Sequence, residues 1–327
     1  MQEKNVQELE NEFYSKPLSL SYSGLSKMMY SPQLYYKYYV LQEREEKLDS
    51  YLVDGKVIHC LLLDNGSFDE QFIMLPSSLP SGNSRLVVDM LFARSQEGTL
   101  SDNSNHIIDI LKEINLHQTL KTDEQRVAKI ISDDTVIYYE FLKLKGNKTL
   151  LDAETLQRCK DAVEILKSNL QVSDLLGLHA NDFNDIVVYN EKEFRCETPW
   201  CGLHGVIDNL KVDYANRNIT INDLKTSSKT LTEFPETVEF YSYWAQAAIY
   251  WKLVQSKFKT LIDEGFEVGF NFIVIDRYNQ VYAFPVSQST MISWCARLEE
   301  QLGHANWYYK SKRFDLPYNF AMGQVTL

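Results

Sequence analysis

No stretch of the 327-residue chain is apolar over the length of a bilayer span, and no Gly-x-x-x-x-Gly-Lys-Ser/Thr loop occurs in it. The first absence leaves no membrane-spanning helix to expect, and the second excludes a P-loop motor. Cysteine is scarce: Cys60, Cys159, Cys196, Cys201 and Cys295 are odd in number and irregular in spacing, which suits reduced thiols rather than a disulfide framework. Cys196 and Cys201 have the form of half a zinc or iron–sulfur site, but no second pair follows them. Positive charge is also in deficit, 33 Lys and Arg against 45 Asp and Glu, for a net charge of −12. That balance argues against a protein that coats DNA, because phosphate binding is dominated by Lys and Arg, but not against an enzyme that binds DNA locally. Part of the acidity is gathered in patches such as Glu43, Glu45 and Glu46. The N-terminal MQEKNVQELENEF is polar and acidic rather than signal-like, so the expected location is the cytoplasm.

What is present is ample apolar material, 44% hydrophobic and 13% aromatic, enough for a packed core. Three zones follow one another. In residues 1–75, Ser21 or Ser23 is a candidate N-cap, Ser31-Pro32 breaks and restarts a helix, and LVDGKVIHCLLLD reads as a further short helix. Residues 76–183 open on a Ser/Gly/Pro loop and continue as helical patterns over 105–145 and 151–178, read as an insertion or subdomain. Residues 184–327 switch to short strands separated by turns: DIVVYNEKEF, LHGVIDNLKVDY, the turn ANRN, then NITINDLKTS. A long helix over 235–259, a hairpin around DRYNQ and a last helix over 288–311 complete the chain. Strands bracketed by helices imply a central mixed sheet with helices on its faces.

Within ITINDLKTSS, Asp223 and Lys225 lie two apart on an extended chain and so share a face. One reading is a charged pair on the solvent face of an edge strand, worth little. The other is a carboxylate, a backbone carbonyl and an ammonium gathered at a divalent cation and the water beside it. Asp208, fifteen residues earlier in GVIDNL, reaches Asp223 if the chain folds back at ANRN, and Gly205 keeps the approach clear. Hard oxygen ligands of this kind select Mg²⁺ or Mn²⁺. Gln246 and Tyr250, four apart on the following helix, share one face and offer neutral hydrogen-bonding groups. His59 is a polar residue among Val57, Ile58, Leu61 and Leu62, suited to a metal ligand or an acid–base group, or to a satisfied core histidine. The C-terminal NWYYKSKRF can be a base-stacking, phosphate-binding surface or a helix end with a cationic last turn.

The ordered set Gly55-x-x-x-His59, Gly205-x-x-Asp208, Asp223-x-Lys225-Thr226 and Gln246-x-x-x-Tyr250 resembles the RecB/RecE-like branch of the PD-(D/E)XK nucleases. The opening LSYSGLSKMMYSPQLYYKYYV is similar to that branch's first helices, and the resemblance covers roughly residues 18–75 and 185–315. It implies an α/β (α+β mixed), restriction-endonuclease-like fold with a helical insertion. By resemblance His59, Asp208, Asp223 and the Leu224 carbonyl hold one or two Mg²⁺ or Mn²⁺ ions, Lys225 positions the attacking water, and Gln246 and Tyr250 complete the site. A further carboxylate, Glu193 or Glu197, is a candidate to approach from the neighbouring strand. Iron–sulfur relatives carry a cysteine before the helix-breaking proline; Ser31 stands there in this chain, so no cluster is expected. The implied activity is an exonuclease on duplex DNA ends in phage-type recombination or repair, working with a single-strand annealing protein, with homo-oligomerisation left open. The alternatives are a silent or structural member of the fold that binds DNA or protein, and a structure-specific endonuclease.

Overall fold

The computed structural model describes residues 5–43, 50–80, 82–180 and 185–326; Glu45 and Glu46 lie outside them. The strands among these residues are β1 (Ser19–Leu20), β2 (Phe72–Met74), β3 (Thr149–Leu151), β4 (Ile186–Glu197), β5 (Gly202–Asp213), β6 (Asn218–Ser227), β7 (Glu267–Asp276) and β8 (Val281–Pro285). The chain forms two compact units, one of Met1–Asp64 with Lys160–Leu327 and one of Asn65–Cys159.

The first unit is a mixed α/β structure: a central sheet that combines parallel and antiparallel pairs, flanked by helices. β4, β5 and β6 form an antiparallel meander. Its second turn is set by the Asp213 carboxylate, which accepts the Asn216 N–H at 2.9 Å, and by Arg217 at φ +50°. β6 runs parallel to β7, which demands a crossover, and the helices Phe234–Phe240 and Tyr243–Lys257 supply it. β8 closes the sheet as an antiparallel hairpin with β7.

β5 has an unusual set of neighbours. One edge pairs with β4 from Gly202 to Asp213. The other edge carries β6 only from Asn209 to Asp213, and β1, in parallel, only at Gly202 and Leu203. Between these two short ladders β5 and β6 part, which opens a fork in the middle of the sheet.

β6 is a central strand, so its polar alternation does not mark a solvent face. Ile219, Ile221 and Leu224 are buried, and so are Thr220, Asn222 and Asp223. Tyr243–Lys257 is buried nearly all round, with Ala245, Ala247 and Ala248 allowing close approach; it packs on β4, β5 and the helix Gln288–Ser311. The single helix expected over 235–259 is broken: Ser242 takes φ +59° between Phe240 and Tyr243, and the Tyr22 hydroxyl donates to the Tyr241 carbonyl at 2.7 Å. Ser21 caps Tyr22–Tyr30, and Ser31 caps a new turn with Pro32 in its first position. Tyr35 is buried and stacks on Tyr39, so the tyrosine-rich segment serves the core.

The second unit packs the helices Gly82–Arg94, Ser104–Glu113 and Asp133–Lys145 around Val88, Leu91, Ile107, Ile110 and Tyr139, with β2 and β3 as a short parallel pair. No helix among the described residues is long and apolar enough to cross a membrane.

Candidate functional site

The fork gathers acidic groups. Asn209↔Asn222 is the last β5–β6 pair before the strands part, so Asp208 and Asp223 come next in register on facing strands. Across β4, Asn190↔Asn209 and Lys192↔Ile207 place Glu191 opposite Asp208. Side chains alternate along strands, so Glu191, Asp208 and Asp223 share one face and the neighbouring asparagines the other. Behind the acids runs an amide ladder over four strands: Asn209 donates to Asn190 at 2.8 Å, Asn222 to Asn209 at 2.8 Å, and Asn271 to Asn222 at 3.0 Å. The second N–H of Asn209 and of Asn222 caps the carbonyls of Leu176 and Leu175. Asn209 and Asn222 are buried, with Asn190 exposed at the outer end of the ladder, and the bonds between these amides fix the strand register that carries the acids.

Where the β5–β6 ladder ends, the Asp208 carboxylate accepts the Leu224 N–H at 2.8 Å. Asp223 is wholly buried; its Oδ2 forms an ion pair with Lys225 Nζ at 2.5 Å, and neither carboxylate oxygen has a hydrogen-bond donor of good geometry among the described residues. Lys225 donates to Gln246 Oε1 at 3.0 Å, Gln246 donates to the Tyr250 hydroxyl at 3.0 Å, and the Tyr243 ring lies 4.7 Å from the ammonium. A Cβ on Gly205 would stand 2.9 Å from Tyr250 Cε1, so glycine there admits the Tyr250 ring. An unpaired buried charge would cost several kcal/mol, which is why the carboxylate and the ammonium come as a pair.

His59 enters from the helix Ser50–Leu63. One turn earlier, a Cβ on Gly55 would meet Thr226 Oγ1 at 3.0 Å, so the small residue lets this helix lie against β6. His59 Nε2 is 3.0 Å from the Leu224 carbonyl, which can only accept, so Nε2 carries the proton. Nδ1 then faces Glu191 Oε1 at 3.4 Å and Asp208 Oδ2 at 3.7 Å. The ring thus divides the expected set, with one nitrogen on the Leu224 carbonyl and the other among carboxylates.

The carboxylate that joins from β4 is Glu191, not Glu193 or Glu197. Glu193 points to Arg195 at 2.5 Å, and Glu197 lies beside Gly202 at the far end of the strand pair. Glu191 holds φ +46°, a costly backbone for a residue with a side chain, at the position where the β4–β5 ladder skips a pair. No local signal in the sequence marks Glu191, because its place across from Asp208 is set by the β4–β5 register, and a shift of two residues would keep the same faces.

Electrostatics follow from the packing. Burial works against charge on His59, but Asp208 and Glu191 outweigh it and hold its pKa at about 8. Burial pushes Asp223 up to about 6, against the pull of Lys225 and with the help of Asp208. Burial lowers Lys225, yet Asp223 and Asp208 more than compensate and keep it above its ordinary value. At neutral pH the pair is therefore carboxylate and ammonium.

The donor set suits a divalent cation. Ligand atoms of His59, Glu191 and Asp208 lie within 4.8 Å of one another, close enough to hold a metal ion. Asp223 is outside that group; its Oδ1, buried without a donor next to Leu224, is a hard oxygen that protein groups leave unsatisfied.

The NWYYKSKRF segment lies elsewhere. Tyr308 is buried, Tyr309 donates to the Lys16 carbonyl at 2.6 Å, Lys312 sits over Tyr14 and Arg313 over Trp307. It joins the C-terminal helix to the N-terminal segment, the helix-end reading of the two.

No protein-family profile matches the chain, and no curated protein matches it. Among solved structures it is similar to a provisionally assigned exonuclease from Eubacterium rectale, at 11% identity and a TM-score of 0.48, over 100% of this chain and 88% of that one.

Proposed function

We propose that this protein is a divalent-metal-dependent nuclease that hydrolyses phosphodiester bonds of DNA, acting as an exonuclease at duplex ends. The observation that carries the reading is Asp223 Oδ1: a buried carboxylate oxygen without a donor, in a fork shared with Asp208, His59, Glu191 and the charged Lys225. A structural role needs no such gathering of mutually repelling acids. The four ordered motifs described from the sequence support the RecB/RecE-like branch and, with it, a place in phage-type recombination beside a single-strand annealing protein.

Asp208, Asp223, Glu191 and His59 Nδ1 would hold Mg²⁺ or Mn²⁺. When bound, the cation supplies positive charge beside the scissile phosphate and acidifies water at neutral pH. Lys225, tethered between Asp223 and Gln246, holds its ammonium where it orients the attacking water and meets charge developing on phosphate. Gln246 keeps that ammonium in place and is itself fixed by Tyr250. As a ligand His59 would present Nδ1 without a proton, with Nε2–H kept on the Leu224 carbonyl.

The test is incubation with linear and closed-circular duplex DNA in Mg²⁺ or Mn²⁺, and in EDTA, for the parent, Asp223→Ala and Lys225→Ala. The expected result is metal-dependent loss of linear DNA by the parent alone. Equal degradation by the variants overturns the assignment, and cleavage of closed circles replaces exonuclease by endonuclease.

A further inference from the structure

The break between the two crossover helices presents aromatic rings to solvent beside Lys225. Phe240 is 76% exposed and Tyr241 46% exposed, although both are large rings whose burial is favourable. They are not loose. Ser242 turns the chain through φ +59°, the Tyr22 hydroxyl holds the Tyr241 carbonyl at 2.7 Å, and Phe240 packs edge-on to Tyr241 at 4.9 Å. Tyr241 stacks on Tyr243 at 5.6 Å with 29° between the planes, and Tyr243 carries the Lys225 ammonium on its face. At the outer end Lys229 stands 5.9 Å over Phe240. An ordered run of rings with a cation at each end leads outward from the acidic fork.

We propose that Phe240 and Tyr241 form a stacking ledge for the unpaired bases of a nucleic-acid strand whose phosphate lies at Lys225. Rings take base faces without regard to sequence, and the two lysines match the charge of the phosphates on either side. A left-handed serine in the middle of a crossover is a costly way to present two rings, and costly backbone gathers where a ligand is met. The inference rests on the nuclease reading and deepens it, by assigning the residues that bind single-stranded substrate.

The test uses the full chain in Ca²⁺ and a single-stranded oligonucleotide with 2-aminopurine near one end, comparing the parent with Phe240→Ala/Tyr241→Ala and with Tyr241→Phe. The parent and Tyr241→Phe are expected to quench the probe. The double variant should lose the quench and bind about 10-fold or more weakly, as stacking losses per base predict. In the Mg²⁺ reaction the double variant should raise KM by a similar factor and leave kcat within about twofold. An abasic nucleotide at the probed position should erase the difference between parent and variant. Unchanged quench and KM in the double variant, with the parent still degrading DNA, overturn the ledge alone. A parent that binds no oligonucleotide overturns the ledge, and a parent that binds but never cleaves overturns the nuclease reading while the quench still judges the ledge. A change of mass in the double variant with quench intact assigns the rings to a second copy of the chain and also overturns the proposal.

Discussion

The Asp208 carboxylate takes the Leu224 N–H at 2.8 Å, and this bond stands where a β5–β6 ladder bond would otherwise be. One side chain therefore both ends the sheet pairing and lines the fork that it opens.

Asp208→Asn and Asp208→Ala should then separate structure from chemistry. Asparagine retains a carbonyl oxygen for Leu224, so its melting temperature should stay near the parent's while activity falls at least about 100-fold. Alanine strands a buried N–H and should in addition lose about 1–3 kcal/mol of stability. Thermal melts beside DNA degradation rates check both outcomes.

The Asp223–Lys225 pair should be strongly non-additive. Lys225→Met leaves a wholly buried carboxylate without its cation and should cost about 3–5 kcal/mol at neutral pH. Asp223→Asn with Lys225→Met should recover much of that loss, because no lone charge remains. A double-mutant cycle in urea measures the coupling, and all three variants should be inactive.

Without metal, stability should fall as pH rises. His59 holds a folded pKa of about 8 against an ordinary 6.5, so its contribution is complete below 6.5 and is lost as pH passes 8. The size is about 2 kcal/mol. Asp223, raised from 3.8 to about 6, favours its protonated form in the fold, so its effect has the same sign at lower pH and is spent by about 6. Melts in EDTA across pH 6 to 9 should slope downward, and His59→Gln should flatten the slope. Mn²⁺ binding should release a proton and weaken below about pH 8, which calorimetry in two buffers of different ionisation enthalpy detects.

The asparagine ladder should act at a distance from the chemistry. Asn222→Leu removes hydrogen bonds to Asn209, Asn271 and the Leu175 carbonyl at once, leaving one buried and two half-buried polar groups without that partner. A loss of several kcal/mol is expected at about 1–3 kcal/mol for each stranded group. Mn²⁺ affinity should drop as well, since the strand register that carries Asp208 and Asp223 is no longer pinned.

The meander, the crossover, the closing hairpin and the convergence of Asp208, Asp223, Lys225, Gln246 and Tyr250 were legible because each follows from local rules. Period-two alternation, the turn at ANRN and the four-residue helical spacing act within a few residues. Glu191 and the ladder were not, because their meaning is a matter of register across β4 to β7, and Asn190, Asn209, Asn222 and Asn271 look like ordinary polar positions until the strands are aligned. The helix break at Ser242 was missed for a similar reason. Nothing in EFYSYWAQ forbids a helix, and the turn depends on Tyr22, more than two hundred residues away in the chain.

The most direct test of the central claim is the anomalous-difference map of a crystal grown with Mn²⁺. A peak within about 2.5 Å of the Asp208 carboxylate and of His59 Nδ1 is expected, and it should vanish in Asp208→Ala. Full Mn²⁺ occupancy at some other place, with the fork between β5 and β6 empty, would contradict it.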